Sequence, residues 1–190
     1  MGGSGTPGYN ISEKYKCLWL APSRTGTRTM AEILRFYDFK LDGRLVYEFN
    51  HYRYTHFTPN LEPYSDYKII CGARNPYSRV LSHFKNYAHQ FLDKTKENFK
   101  IYVESKGWMA NNVNQPILTK VPDYLVRIEN MKEDLLKIPF IFDVLNERQL
   151  DLYLLHGDKN DNWEEYYDDD IKEIVYTSFK NHFNMWGYEK

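Results

Sequence analysis

Cysteine is scarce: the 190 residues hold two, Cys17 and Cys71, and both sit inside apolar, strand-like runs. That usage points to small buried hydrophobes rather than a disulfide framework, so nothing demands an oxidising compartment. An excess of charge is lacking too, since 25 Lys and Arg stand against 26 Asp and Glu for a formal net charge of -1. Without a basic field no nucleic-acid partner is expected, and an anionic ligand has to be gripped by local charge. No apolar run approaches the length of a membrane span, and Met1 to Gly8 (MGGSGTPG) lacks the apolar stretch of a signal peptide. Those first eight residues read as a linker or tag, and the expectation is a cytoplasmic chain with no membrane segment. Internal repeats and low-complexity segments are missing from the remainder.

What is present suffices for one folded domain, residues 9–190, and is too short for two ordinary ones. Hydrophobic residues make up 42% and charged residues 27%, which argues against disorder. Aromatics reach 17%, with 17 Tyr and 4 Trp, so the core and any cleft are expected to be rich in rings.

Short apolar runs alternate with helical patterns. Lys16 to Ala21 (KCLWLA), bounded by Pro22, fits a buried parallel strand and is the first ordered element expected. After a polar turn, Met30, Ile33, Leu34 and Tyr37 recur at helical spacing. Leu45 to Phe49 reads as a second strand, followed by a polar, aromatic stretch from Asn50 to Asp66 that is long for a structureless loop. Tyr67 to Ala73 reads as a third strand, after which Pro76 opens a helix with Tyr77, Val80, Leu81, Phe84, Ala88 and Phe91 on its apolar face and Ser78 and Ser82 on the other. A helix to about Ser105 follows; Tyr124 to Ile128 reads as a fourth strand, with Asn130 capping a helix to about Lys137. Finally, Asp168 to Asp170 place negative charge at the start of a helix carrying Ile171, Ile174, Val175, Phe179, Phe183 and Trp186. Strands alternating with helices predict an α/β domain with a central, mainly parallel sheet flanked by helices.

Two strand-to-helix junctions carry the chemistry. In Ser23-Arg24-Thr25-Gly26-Thr27-Arg28-Thr29, backbone N–H groups and a helix dipole would face an anion, Gly26 would permit close approach, and hydroxyls and arginines would complete the cradle. A nucleoside-triphosphate loop needs a Lys after its last Gly, and here Gly26 is followed by Thr27-Arg28, which weakens a kinase reading. At the second junction Arg74 leaves the carboxyl edge of a strand and Ser82 follows on the helix, a charged fork and a neutral donor suited to a phosphate monoester. Asp158 to Asn162 has the look of a calcium loop, but Trp163 stands where Gly is needed and Asp169 where Glu is needed, so no metal is expected.

Taken together, the two junctions resemble the sulfotransferases that use 3′-phosphoadenosine-5′-phosphosulfate (PAPS), in particular their carbohydrate-type and bacterial branch. In that family a strand-loop-helix binds the 5′-phosphosulfate and an R-x-P-x-x-R-x-x-S stretch binds the 3′-phosphate; Arg74, Pro76, Arg79 and Ser82 match the latter in type and spacing. Arg127-Ile128-Glu129-Asn130 and the C-terminal Phe183 to Tyr188 stretch are similar as well. The resemblance implies a P-loop-like sulfotransferase fold, PAPS as donor with 3′-phosphoadenosine-5′-phosphate (PAP) as product, and a small-molecule or glycan acceptor. It implies nucleotide contacts from the first loop, Arg74, Ser82 and Arg127. Arg24 stands where the family places a Lys at the leaving phosphate; arginine stabilises negative charge but is a poor proton donor. The acceptor hydroxyl needs a base, and the resemblance assigns that role to His56 between the second and third strands, with His51 and Glu48 as fallbacks. A P-loop-type small-molecule kinase and a non-catalytic nucleotide-binding module stay open as alternatives.

Overall fold

The chain builds a mixed α/β fold in the computed structural model, which describes residues 10–22, 24–34, 36–39, 65–106, 121–154 and 162–190. Within these, four strands form one sheet in the order β1-β2-β3-β4: β1 Asn10–Ser12, β2 Cys17–Leu20, β3 Lys68–Ala73 and β4 Tyr124–Arg127. β2, β3 and β4 run parallel, in a register that sets Leu20 beside Cys71 and Ala73 beside Arg127. The carboxyl ends of three neighbouring strands therefore open on one edge of the sheet, the edge at which open α/β sheets bind ligands.

β1 was not expected, because three residues are too few to show a period. It is recruited by tertiary pairing, antiparallel to β2 with Ile11 beside Leu18, and the Ser12 hydroxyl ties it down by donating to the Asp38 carboxylate. The expected strand Leu45 to Phe49 lies outside the described residues, as do the linker at 1–8, the loop at Asp158 and Ser23.

The α-helices among the described residues are α1 Thr27–Leu34, α2 Pro76–Tyr87, α3 Lys96–Glu104, α4 Met131–Leu135, α5 Glu147–Leu154 and α6 Asp169–Trp186. Met30, Ile33 and Leu34 of α1 share a core with Trp19, Ile70 and Val126 of the sheet and with Leu135 and Leu150. A second core joins Tyr77, Val80, Leu81 and Phe84 of α2 to Phe99, Tyr102 and Val103 of α3 and to Val175, Phe179 and Phe183 of α6. The aromatic stripe of α6 is thus packing material, with the Asp168 carboxylate capping it at Ile171 N–H (2.9 Å) and left-handed Gly187 (φ 70°) ending it. Cys17 and Cys71 are buried free thiols, burial pushing them up to about 11 and about 12 respectively. None of the helices among the described residues is long and apolar enough to cross a membrane.

Asn130 stands at the N-cap position of α4, as expected, but caps it without a side-chain bond. Residues Ile128–Asn130 already turn as a 3-10 helix. The turn is held instead by Asp134, whose carboxylate accepts the Arg127 backbone N–H at 3.0 Å.

Candidate functional site

The first loop is shaped by hydroxyls and packed onto β3. Thr25 and Thr27 both donate to the Pro22 carbonyl, at 2.7 and 3.3 Å, which curls the chain between β2 and α1. Thr25 is buried against Gly72, where an added Cβ would lie 2.7 Å from the Thr25 hydroxyl and 3.2 Å from its carbonyl oxygen. Only glycine on β3 lets the loop sit this close. Gly26 takes a left-handed φ of 73°, which explains the glycine there better than the adjacent Met131 methyl group, since a flexible side-chain end can move aside. Arg24 is also left-handed, at φ 66°, an uncommon and strained state for a residue with a Cβ. The Thr hydroxyls expected to cradle an anion are therefore used to build the loop, while Arg28 and Thr29 lie on the first turn of α1, Arg28 exposed.

The second junction is equally ordered. Asn75 caps α2, its side-chain oxygen accepting the Tyr77 and Ser78 amides at 2.9 and 3.4 Å, and Pro76 fills the first helical position, where no N–H is needed. Arg74 is 3% exposed, and its Nε donates to Ser78 Oγ at 2.8 Å. Ser82, one turn further along α2, is likewise buried. The serines on the helix's polar face point at the sheet edge rather than at bulk water.

These two junctions meet. Arg24 reaches across from the first loop and donates through Nε at 3.0 Å and Nη2 at 2.6 Å to Ser82 Oγ, joining residues 58 apart in sequence. Two guanidinium groups and two serine hydroxyls are thus collected where β2 and β3 end, an arrangement of N–H and O–H donors suited to oxyanions.

Arg127 reaches the same edge from β4 but is engaged differently. Its guanidinium makes a bidentate pair with Asp134, 2.8 Å at each contact, and Lys137 donates to the same carboxylate at 2.6 Å. Burial opposes the Asp134 charge, yet these hydrogen bonds outweigh it and hold the carboxyl down to about 2. Arg127 is a strut between β4 and α4 before it is anything else.

Arg79, the second arginine of the R-x-P-x-x-R-x-x-S stretch, is fully buried, its guanidinium 5.9 Å from the Phe179 ring centre and 5.5 Å from that of Trp186. Burial lowers its pKa to about 10, so it stays charged at neutral pH. Nearby His182 is held neutral: burial first, then the Arg79 charge, pull it down to about 3. His83 turns into the helical core, its Nδ1 2.6 Å from the Tyr102 hydroxyl. Among the candidate bases, His56, His51 and Glu48 all lie outside the described residues.

Sequence reasoning missed Glu129 as a brace. One of its oxygens accepts the Asn75 amide at 2.8 Å and the other accepts the Tyr188 hydroxyl at 2.7 Å, so the residue after the C-terminal helix cap steadies the start of α2. Burial and then the Glu129 charge raise the Tyr188 phenol well above its ordinary value. Nothing in local spacing links residues 75, 129 and 188.

No known family model, curated protein or solved structure matches this chain. The case for a function therefore stands on the sheet edge itself.

Proposed function

We propose that the chain is a sulfotransferase of P-loop-like fold that moves a sulfuryl group from PAPS to a hydroxyl of a small-molecule or glycan acceptor. The observation that carries this reading is the Arg24–Ser82 contact, which makes the two phosphate-type junctions a single site at the ends of adjacent parallel strands. One cradle at each strand exit suits a nucleotide bearing phosphates at both its 5′ and 3′ ends.

In this reading Arg74 and Ser82 hold the 3′-phosphate, Ser78 orients the Arg74 fork, and the loop from Ser23 to Thr29 holds the 5′-phosphosulfate, with Arg127 bordering the nucleotide. The acceptor oxygen forms its bond to sulfur as the bond from sulfur to the bridging phosphate oxygen breaks, so PAP leaves with that electron pair. Arg24 and Arg28 stabilise the charge gathering on the leaving phosphate without donating a proton. His56 takes the proton from the acceptor hydroxyl. No step requires a metal.

Thermal shift with PAP, with ATP and magnesium, and with AMP separates this reading from a kinase. Strong stabilisation by PAP alone is expected. Stabilisation by ATP and magnesium with none by PAP would transfer the site to phosphoryl chemistry. Incubation with labelled PAPS and a panel of glycans, phenols and alcohols then asks for transfer, whose complete absence beside tight PAP binding would leave a nucleotide-binding module.

A further inference from the structure

We propose that Tyr188 is a positioning residue: acting through Glu129, its hydroxyl links nucleotide binding at the sheet edge to the docking of the turn that follows α6. The inference rests on the PAPS reading above and gives a role in ligand affinity to a segment outside both strand-to-helix junctions.

The turn is built by the end of α6. Left-handed Gly187 reverses the chain, and the Gly187 and Tyr188 amides both donate to the Phe183 carbonyl, the latter at 3.0 Å, closing the helix in a Schellman turn. The Tyr188 ring packs against the second core, while Glu189 and Lys190 beyond it are exposed. From that seat the hydroxyl donates to one oxygen of Glu129 at 2.7 Å, across 59 residues of sequence. The other oxygen accepts the Asn75 amide at 2.8 Å.

A carboxylate tied at one oxygen still rotates about its last side-chain bond; tied at both, it is fixed. Glu129 is exposed, so without Tyr188 water takes the freed oxygen and the carboxylate swings. The Asn75 amide belongs to the planar peptide that joins Arg74 to the cap of α2, and the tilt of that peptide sets the direction in which the Arg74 side chain leaves the backbone. A swinging carboxylate also turns its charge toward an incoming phosphate, which weakens binding further. Tyr188 therefore acts on the nucleotide only through Glu129. By reciprocity, a bound nucleotide holds the turn more firmly in place.

Calorimetry measures PAP binding by the wild type, Tyr188→Phe, Glu129→Ala and the double variant, and hydrogen exchange follows the Gly187 and Tyr188 amides with and without PAP. Phenylalanine keeps the packed ring and removes only the hydroxyl. Tyr188→Phe is expected to raise the PAP dissociation constant about three- to tenfold in the wild-type background and under about twofold in the Glu129→Ala background, where the hydroxyl has lost the group it works through. PAP is expected to slow exchange at the two amides about three- to tenfold in the wild type and under about twofold in Tyr188→Phe. Alanine at Gly187 strains the turn but keeps the hydroxyl on Glu129, so PAP affinity is expected to hold there. A merely structural tether would lower the melting temperature of Tyr188→Phe and leave its PAP affinity and PAP-dependent exchange as in the wild type. That result, or an equal loss in both backgrounds, would overturn the linkage and leave the PAPS reading intact. A wild type that does not bind PAP would overturn both.

Discussion

Asp134→Asn is the perturbation whose size the structure sets most directly. Asp134 is 2% exposed and serves three donors, the Arg127 guanidinium, the Arg127 amide and Lys137. Its carboxyl is held down to about 2 from an ordinary 3.8. A folded-state value below the unfolded one means that stability is fully present above the unfolded value and is lost as pH falls through the folded one. The gap corresponds to about 2 kcal/mol of folding free energy that is present at neutral pH and drains away from about pH 4 to about pH 2. Asparagine keeps one acceptor but not the charge, and the water around the partly exposed Arg127 and Lys137 softens the loss. The cost at pH 7 is therefore about 2–3 kcal/mol, below that of a wholly buried pair. Urea unfolding followed by tryptophan fluorescence, at pH 7 and again near pH 2, measures it: the wild type should exceed the variant at pH 7 and the difference should shrink to under about 1 kcal/mol near pH 2. A deficit that is the same at both pH values, or absent at pH 7, would refute the claim that this ion pair braces the edge of the sheet.

Arg74→Ala is expected to weaken PAP binding by about 1.5–3 kcal/mol, the worth of a charged hydrogen bond, and calorimetry showing unchanged affinity in a folded variant would remove Arg74 from the nucleotide site. Arg127→Ala, by contrast, should lose stability in urea titration, because buried Asp134 gives up its two guanidinium contacts and keeps only Lys137 and the residue-127 amide, and should lose less PAP affinity than Arg74→Ala. His56→Ala should leave PAP affinity nearly intact while removing most transfer of labelled sulfate; surviving transfer would move the base to another residue. Gly72→Ala pushes on the Thr25 hydroxyl and on its carbonyl oxygen at 3.2 Å, so it should cost about 1–3 kcal/mol of stability and weaken PAP binding together. Gly187→Ala, with nothing within 4 Å of its Cβ, should cost about 1 kcal/mol through its left-handed φ alone and leave PAP binding unchanged.

Much of the architecture was legible because it depends on short-range pattern. Three parallel strands fell within a residue or two of their apolar runs, and α2 began at Pro76 as its fixed φ requires. The buried positions of α6 followed its helical period, save that Ile174 is only half-buried. Both strand-to-helix junctions proposed to hold the nucleotide stood out in the sequence, the first by Gly26 and its flanking arginines and the second by Arg74 ahead of Pro76. β1 and the Asp134-held turn after β4 were not legible, since each owes its form to a partner supplied from elsewhere, the edge of β2 in one case and a carboxylate seven residues on in the other.

Local periodicity and turn chemistry are written in neighbouring residues, so the chain alone decided that strands would hand over to helices and that arginines would stand at the handover. Which donors share a site is a matter of strand order and side-chain reach. Only the folded sheet, by setting β2 beside β3, brought Arg24 onto Ser82, turned Arg127 toward Asp134 and sank Arg79 between aromatic rings. Residues of one type, indistinguishable as letters, were given different work by the groups the fold set beside them: a hydroxyl for Arg24, a carboxylate for Arg127, aromatic rings for Arg79.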